Sequence, residues 1–432
     1  MSTLVAPRGT LDIFPPESAR WQTLEAALRA IALRFGYGEI RTPMFEATEL
    51  FVRGVGETTD IVEKEMYTFL DKGNRSMTLR PEWTAPVVRA LLEKKRFGQE
   101  AQRFFYLGPF FRYERPQAGR LRQAHQFGVE AFGDAGPEAD HEVIALAMQA
   151  VQSQGLTEAV LQINSIGDQA CRPAYREALL AHFRPHAASL SADSQRRLER
   201  NPLRLLDSKA PEDQALLATA PTLYENLCSA CREHFEMLCH LLDATGIPYR
   251  HAPHLVRGFD YYSRTVFEIT STALGAQTAL CGGGRYDNLV SALGGPATPA
   301  VGFGLGLERF LMALAATHNT TSTARSGWQV ITLGAKARET LIPVVTALRQ
   351  IAGPPVYIDF ADRKIVTQYK LGDRNNARMA IIAGENELNN QTLLIRDLET
   401  REESSLRVGL TSTQTAQQLL QWYQERVLSP HA

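Results

Sequence analysis

PFFRYERPQAGRLRQAHQFGVE, from Pro109 to Glu130, reads as two strands joined by a loop of proline and glycine. Strand alternation puts Phe111, Tyr113 and Arg115 on one face and Arg112 and Glu114 on the other. The loop carries Arg120 and Arg122, and the returning strand sets Gln126, Gly128 and Glu130 on a single face. Arg, Glu, Gln and Glu displayed from adjacent strands make a poor structural sheet. They make a sensible site for a polyphosphate and a polar substrate, because arginine offers planar, paired donors to phosphate. The plainer alternative is a solvated, salt-bridged sheet face, and the crowding of arginine with glycine in the loop counts against it.

Working outward, strands are also expected at Ser76–Leu79, Arg103–Leu107, Ala159–Ile163, Thr265–Thr270 and Gln277–Cys281. Strands that follow one another over short connections indicate an antiparallel sheet rather than βαβ crossovers. Ahead of them, Trp21, Leu24, Leu28, Ile31 and Phe35 recur at helical spacing over Glu17–Phe35, with Gly36 as the stop and a strand at Glu39–Thr42. This is a good interface element, though its pattern does not say with what. From about Asp168 to Thr245 the chain turns helical, with a polar, Arg-rich middle (Asp193–Arg204), and reads as an insertion. Thr317–Gly327 is small, polar and aperiodic, the best linker in the chain. Beyond it, strands at Trp328–Leu333, Val356–Phe360, Met379–Ile382 and Thr392–Ile395 alternate with helical stretches, as in a small α/β domain.

The bulk numbers bound the partners. The chain has 432 residues, 44% hydrophobic and 22% charged, which is ordinary globular composition. Lys+Arg 46 against Asp+Glu 47 gives a net charge of -1, so a nucleic-acid surface must be a local cluster rather than a global field. Five cysteines, an odd number, argue for reduced thiols in a cytosolic setting. Cys228 and Cys231 form a C-x-x-C, with Cys239 and His240 further on. A metal would need four converging ligands, and Tyr224–Leu242 reads as continuous helix, so buried thiols and no metal are expected. No signal sequence or bilayer-length apolar run is read, and a cytoplasmic location follows by default.

Three further stretches carry chemistry. Glu82 and Thr84, two residues apart at a strand end, could both accept from one ammonium group, although from spacing alone an N-cap before a helix Ala85–Lys94 is the better reading. In LVRGFDYYSR, Leu255 to Arg264, an arginine beside glycine and two tyrosines could surround a small ligand, but tyrosine pairs more often pack in cores. CGGGRYDNLV (Cys281–Val290) and VGFGLGLERF (Val301–Phe310) permit close backbone approach, and Gly306 with Arg309 at a strand–helix junction suits a phosphate or adenine platform. Neither matches a Walker loop or a dinucleotide fingerprint.

Taken in this order, the stretches resemble the histidyl-tRNA synthetases nearly end to end. APRGTLDIFP and EIRTPMFEATELFVRGVGETTDIVEKEMYTF are similar to that family's N-terminus and first class II motif, FRYERPQAGR…HQFGVEAFG to its second and GFGLGLERF to its third. LVRGFDYYSRTVFE and GGGRYDNLV resemble two histidine-specific signatures, and NPLRLLDSK resembles part of a helical insertion. DRKIVTQYK and IIAGENEL resemble an anticodon-binding domain. The resemblance implies an α+β class II fold: an antiparallel catalytic domain over 1–326, an insertion at about 168–250, and an α/β anticodon-binding domain over 327–432. It implies that Glu82, Thr84 and Gln126 hold the α-ammonium group of L-histidine, that Glu130 and Tyr262 address the two imidazole nitrogens, and that Tyr261 lines the pocket. Arg112 would contact the α-phosphate and the histidine carboxylate, and Arg257 would sit opposite, where other class II enzymes place a metal. Glu114 and Arg309 would bind ATP, supplied with Mg²⁺, with Arg120 near its outer phosphates. Arg115 and Gln117 would face the acceptor end of tRNA(His), and the chain would form a homodimer.

Trp83 stands where that family usually has glycine, and Ala124 where it usually has an aromatic that stacks on adenine; Leu121 and Ala118 depart as well. Trp83 is therefore expected to supply the bulk or the stacking lost at Ala124. A histidine-sensing regulatory paralogue and a catalytically silent tRNA-binding module are the rival readings. The presence of Glu82, Arg112, Glu130, Arg257 and Arg309, and the domain after the linker, weigh against both.

Overall fold

The computed structural model describes residues 4–56, 59–98, 100–200, 202–274, 279–317, 325–409 and 411–428, with the backbone alone at 200, 204 and 207. The chain divides into two compact units, Met1–Asn319 and Thr320–Ala432.

In the first unit the strands, in chain order, are β1 (Gly38–Glu39), β2 (Phe45–Ala47), β3 (Tyr67–Leu70), β4 (Ser76–Leu79), β5 (Gln102–Phe111), β6 (Gln123–Phe132), β7 (Val160–Ser165), β8 (Tyr249–His251), β9 (Ser263–Thr270), β10 (Ala279–Arg285) and β11 (Ala300–Gly306). Eight of them form one sheet in the order β1-β5-β6-β11-β10-β9-β7-β8, and β2-β4-β3 form a small second sheet. The large sheet is antiparallel except at its two edges, where β1 runs parallel to β5 and β8 parallel to β7.

Period-two alternation sorts the two faces. Phe127, Val129 and Ala131 of β6 and Val301, Phe303 and Leu305 of β11 point to one side. There they meet the buried stripe Leu24, Leu28 and Ile31 of helix Glu17–Arg34, and Val143 and Ala147 of helix Pro137–Gln152. Each fully buried Val, Leu, Ile or Phe side chain here stabilises the fold by about 1.5–3 kcal/mol. The other face carries Gln126, Gly128 and Glu130, as alternation predicts, and forms the cleft floor.

Several expectations need correction. Arg103–Leu107 and Phe110–Arg115 are not two strands: β5 runs unbroken to Phe111, and Arg112 to Gln117 belong to the hairpin loop. The strand expected over Glu39–Thr42 is the two-residue edge β1. Of the strand expected at Gln277–Cys281, residues 277 and 278 lie outside the described residues, as do 318–324 of the expected linker and Asn201 of the insertion motif. The continuous helix expected over Tyr224–Leu242 is broken. A single 3-10 turn at Tyr224–Asn226 precedes a helix that starts only at Ser229, which leaves Cys228 just outside it.

The second unit adds β12 (Trp328–Thr332), β13 (Val356–Ile358), β14 (Met379–Ala383), β15 (Thr392–Asp397) and β16 (Glu403–Arg407), in the order β13-β12-β14-β15-β16. Helices Ala335–Gln350 and Ser412–Tyr423 cover one face around Trp328, and Ile365–Arg374 covers the other. Strand β16 went unread because ESSLR is polar: it lies at the sheet edge with no fully buried side chain.

Candidate active site

Glycine shapes the cleft floor. A Cβ on Gly302 would lie 2.1 Å from Glu130 Oε2, one on Gly304 1.9 Å from Gln126 Nε2, and one on Gly282 2.0 Å from Arg257 Nη2. Functional side chains from neighbouring segments therefore lie flat on bare backbone, in space that any other residue would fill. This is the physical reason for the alternating Gly302 and Gly304 of β11 and for Gly282 in β10.

The cleft, of about 540 Å³, brings together Glu82, Thr84, Gln126, Glu130, Tyr261 and Tyr262. It also contains Arg112, Glu114, Arg120, Arg257 and Arg309. Arg115 and Gln117 lie outside its lining, exposed on the hairpin loop.

At the closed end, Glu82 alone does the capping expected of the Glu82–Thr84 pair, because Thr84 is itself the first residue of the helix. Its carboxylate accepts from the backbone N–H of Thr84 at 2.6 Å and of Ala85 at 2.9 Å, at the start of helix Thr84–Glu93. The Thr84 hydroxyl is thereby released to donate to Glu130 Oε1 at 2.8 Å. Its lone pairs stay available to an ammonium group, so the capping and ligand readings are compatible. Glu130 Oε2 accepts from the Tyr286 hydroxyl. Burial pushes the Glu130 carboxyl up to about 8, and the neighbouring Glu82 adds to this against the hydrogen bonds from Tyr286 and Thr84. Burial also raises Glu82 and the Tyr262 phenol.

At the open end the groups are cationic. Arg112 Nε donates to Pro81 O at 2.8 Å, and its guanidinium lies 5.0 Å from the Phe110 ring centroid. Arg309, in the first turn of helix Leu307–Thr317, donates to Gly119 O at 3.2 Å and Ala279 O at 3.1 Å, which ties that helix to the hairpin loop. Arg120 reaches Glu114 at 3.4 Å. Arg257 Nη1 donates to Glu268 Oε2 at 2.7 Å.

Sequence reasoning missed Tyr286 and Glu268. Both carried a signal: Tyr286 follows GGGR in a stretch already singled out, and Glu268 is the one acid in the apolar strand SRTVFEIT. Arg285, fully buried, anchors that turn on Asp140, which also accepts from Thr265 at 2.5 Å and meets His234 Nε2 at 2.7 Å.

The adenine-stacking role expected of Trp83 is overturned. Its ring stacks on Tyr106 (centroids 4.6 Å, interplanar angle 7°), and the Arg80 guanidinium lies 3.3 Å from its centroid. Both faces are covered, so no base can stack there. Trp83→Ala is expected to cost about 3–5 kcal/mol of stability in denaturant unfolding. Its effect on ATP affinity should add to that of Ala124→Phe without coupling.

A second expected result concerns Glu130. Its folded pKa lies above the ordinary 4.5, so the folded state holds an extra proton between these values. Stability therefore falls as pH rises towards 8, by roughly 1.4 kcal/mol per unit. Glu130→Gln removes that penalty. Thermal melts should show the variant gaining on the parent between pH 6 and pH 9; a gap that does not change with pH would contradict the buried, raised carboxyl.

An antiparallel sheet whose cleft arginines rise from a hairpin, with the last one at a strand–helix junction, is the architecture of the class II aminoacyl-tRNA synthetases. Comparison with known proteins narrows the class. The sequence model of the Histidyl-tRNA synthetase family matches residues 9–310. A histidine–tRNA ligase from a Geobacillus species is 50% identical over 405 residues, covering 93% of this chain and 96% of that one. Another, from Bacillus cytotoxicus, is 46% identical over 419 residues, covering 96% and 99%. The solved structure of apo histidyl-tRNA synthetase from S. aureus superposes with a TM-score of 0.79 at 36% identity, covering 98% of this chain and 100% of that one. The chain belongs to the histidyl-tRNA synthetase family.

Proposed function

We propose that the chain acts as a histidine–tRNA ligase: it activates L-histidine with ATP, releases pyrophosphate, and transfers histidine to the 3′ end of tRNA(His). The observation that carries this reading is Glu130, a buried carboxyl on a glycine floor between Thr84 and Tyr286, with arginines at the other end of the same cleft. A carboxyl so placed suits an imidazole N–H, and Tyr262 beside it suits the second ring nitrogen. A site built of such partners rejects apolar isosteres, which would leave its own polar groups unpaired.

In the first step the histidine carboxylate attacks the α-phosphorus in line. Glu82, Thr84 and Gln126 fix the ammonium group, and Arg112 and Arg257 stabilise the charge gathering on the α-phosphate; positioning and preorganised charge supply the catalysis. Glu114, Arg120 and Arg309 hold the nucleotide. Mg²⁺ would arrive with ATP, and Glu65 and Glu114, which line this end of the cleft beside Arg112 and Arg120, are the carboxylates that could meet it. In the second step, exposed Arg115 and Gln117 meet the acceptor end of the tRNA.

Residues 1–326 serve as the catalytic domain, with the insertion at about 168–250, and 327–432 as the anticodon-binding domain. A homodimer through the first motif is supported by exposed Met44, Phe45, Phe69 and Leu70 on and beside the small sheet. No described helix is long and apolar enough to cross a membrane, and the tRNA substrate suits a cytoplasmic enzyme.

Pyrophosphate exchange into ATP tests the reading. Exchange with histidine, and not with the other amino acids, is expected; histidine binding without exchange would move the chain to the regulatory paralogue.

A further inference from the structure

Away from the cleft, two short motifs meet. D-x-x-C, Asp168 to Cys171, leaves β7 and opens the helical insertion; C-x-x-C, Cys228 to Cys231, opens its last helix. Fifty-six residues of sequence separate Cys171 from Cys228. Yet the carboxylate oxygen of Asp168 and the sulfurs of Cys171, Cys228 and Cys231 all lie within 4.8 Å of one another.

From this convergence we propose that Asp168, Cys171, Cys228 and Cys231 form a structural zinc site that clamps the base of the insertion. Three sulfurs and one oxygen are the donors of a borderline-soft tetrahedral ion; magnesium and calcium want all-oxygen shells. Zinc–sulfur bonds near 2.3 Å put tetrahedral sulfurs roughly 3.8 Å apart, so the ligands need close in by no more than about 1 Å.

The surroundings are those of a metal knuckle. Gly167, at φ 61°, lets the chain fold onto Cys171, where a Cβ would come 2.6 Å from the Cys171 Cβ. Asp168 Oδ1 accepts from the backbone N–H of Ala170 at 3.0 Å and of Cys171 at 3.3 Å, which fixes the turn. The Cys228 backbone N–H donates to Cys171 Sγ at 3.2 Å, a hydrogen bond that stabilises the sulfur as a thiolate ligand. Cys171 directly precedes helix Arg172–Phe183, and Cys228 directly precedes helix Ser229–Ala244, with Cys231 in the latter's first turn. Both helix N-termini therefore point positive ends at the cluster. Arg264 lies 3.7 Å from Asp168 Oδ2 and offsets part of the remaining negative charge. On binding, the three thiols release their protons to solvent and the carboxylate enters already ionised.

The clamp sits where the insertion joins the sheet. Ile166 N–H donates to Arg264 O, and Arg264 N–H to Gly167 O, each at 2.7 Å, while the Arg172 guanidinium donates to the carbonyl of Tyr262. Metal binding at the base thus also steadies the segment that carries the tyrosines of the cleft.

The test is metal content of the full chain, grown with zinc and purified in reducing, chelator-free buffer, read by inductively coupled plasma mass spectrometry. About one zinc per chain is expected, released when a mercurial caps the thiols. Cys228→Ser with Cys231→Ser should drop it below a tenth of an equivalent, whereas Cys239→Ser and Asp168→Cys should keep it. Because the serine variant could misfold, the parent chain is also stripped with acid-free chelator and titrated with Co²⁺. Intense visible bands of a tetrahedral thiolate site, displaced by one equivalent of zinc, are expected. A parent chain that holds less than a tenth of an equivalent and gives no such bands on titration would overturn the site. So would equal zinc in the parent and the double variant, or a Cys171–Cys228 disulfide formed without metal.

Discussion

Replacing Arg257 by alanine is expected to lower kcat for histidine-dependent pyrophosphate exchange by roughly 10²–10³-fold, the usual loss of one preorganised donor at developing charge. Arg257 leaves its loop and lies across Gly282, paired with Glu268 at 2.7 Å, so its guanidinium is held in place before substrates arrive. Lysine should rescue little, because a point charge lacks the planar fork that could pair with Glu268 and an incoming anion at once. A companion change separates position from charge. Gly282→Ala keeps Arg257 in the sequence but places a methyl group 2.0 Å from its Nη2. The atoms it meets first belong to the end of that flexible side chain, so the melting temperature should hold while kcat falls by about 10-fold or more. Unchanged exchange in both variants would remove Arg257 from the chemistry.

The second large effect is expected at Glu130. Glu130→Ala should reduce kcat/KM for histidine by roughly 10³–10⁴-fold if the carboxyl accepts from the ring as proposed, and it strands the hydroxyls of Thr84 and Tyr286. ATP affinity should move far less, because Glu130 sits at the closed end, away from Arg120 and Glu114. Tyr286→Phe should fall in between: it keeps the carboxyl but removes one of the hydroxyls that orient it.

The expected gain in stability of Glu130→Gln at high pH belongs to the same account. A carboxyl placed to read a ligand is held ionisable at a cost to the unliganded fold, and removing it trades function for stability.

Much of this was legible in the sequence. Alternation alone put Gln126, Gly128 and Glu130 on one face, and short connections marked the sheet as antiparallel. Periodicity placed the helix that begins at Glu17 within one residue of its observed end at Arg34. What could not be read depends on contacts across long separations. The stacking of Trp83 between Tyr106 and Arg80 joins strand β5 to the turn after β4, and no local pattern shows that both of its faces are taken. The hydroxyl of Tyr286 reaches Glu130 across 156 residues. Asp168 and Cys171 meet Cys228 and Cys231 only because the insertion begins and ends at one point, and C-x-x-C alone offers two ligands where a metal wants four. Polar edge strand β16 escaped for the opposite reason: no buried face leaves no alternation to detect.

A crystal structure of the chain with histidine bound tests the central assignment most directly. The imidazole is predicted to lie with one nitrogen within about 3.2 Å of Glu130 and the other at Tyr262, with the ammonium group on Glu82, Thr84 and Gln126. A ring bound elsewhere in the cleft, with Glu130 still held by the protein's own hydroxyls alone, would contradict it.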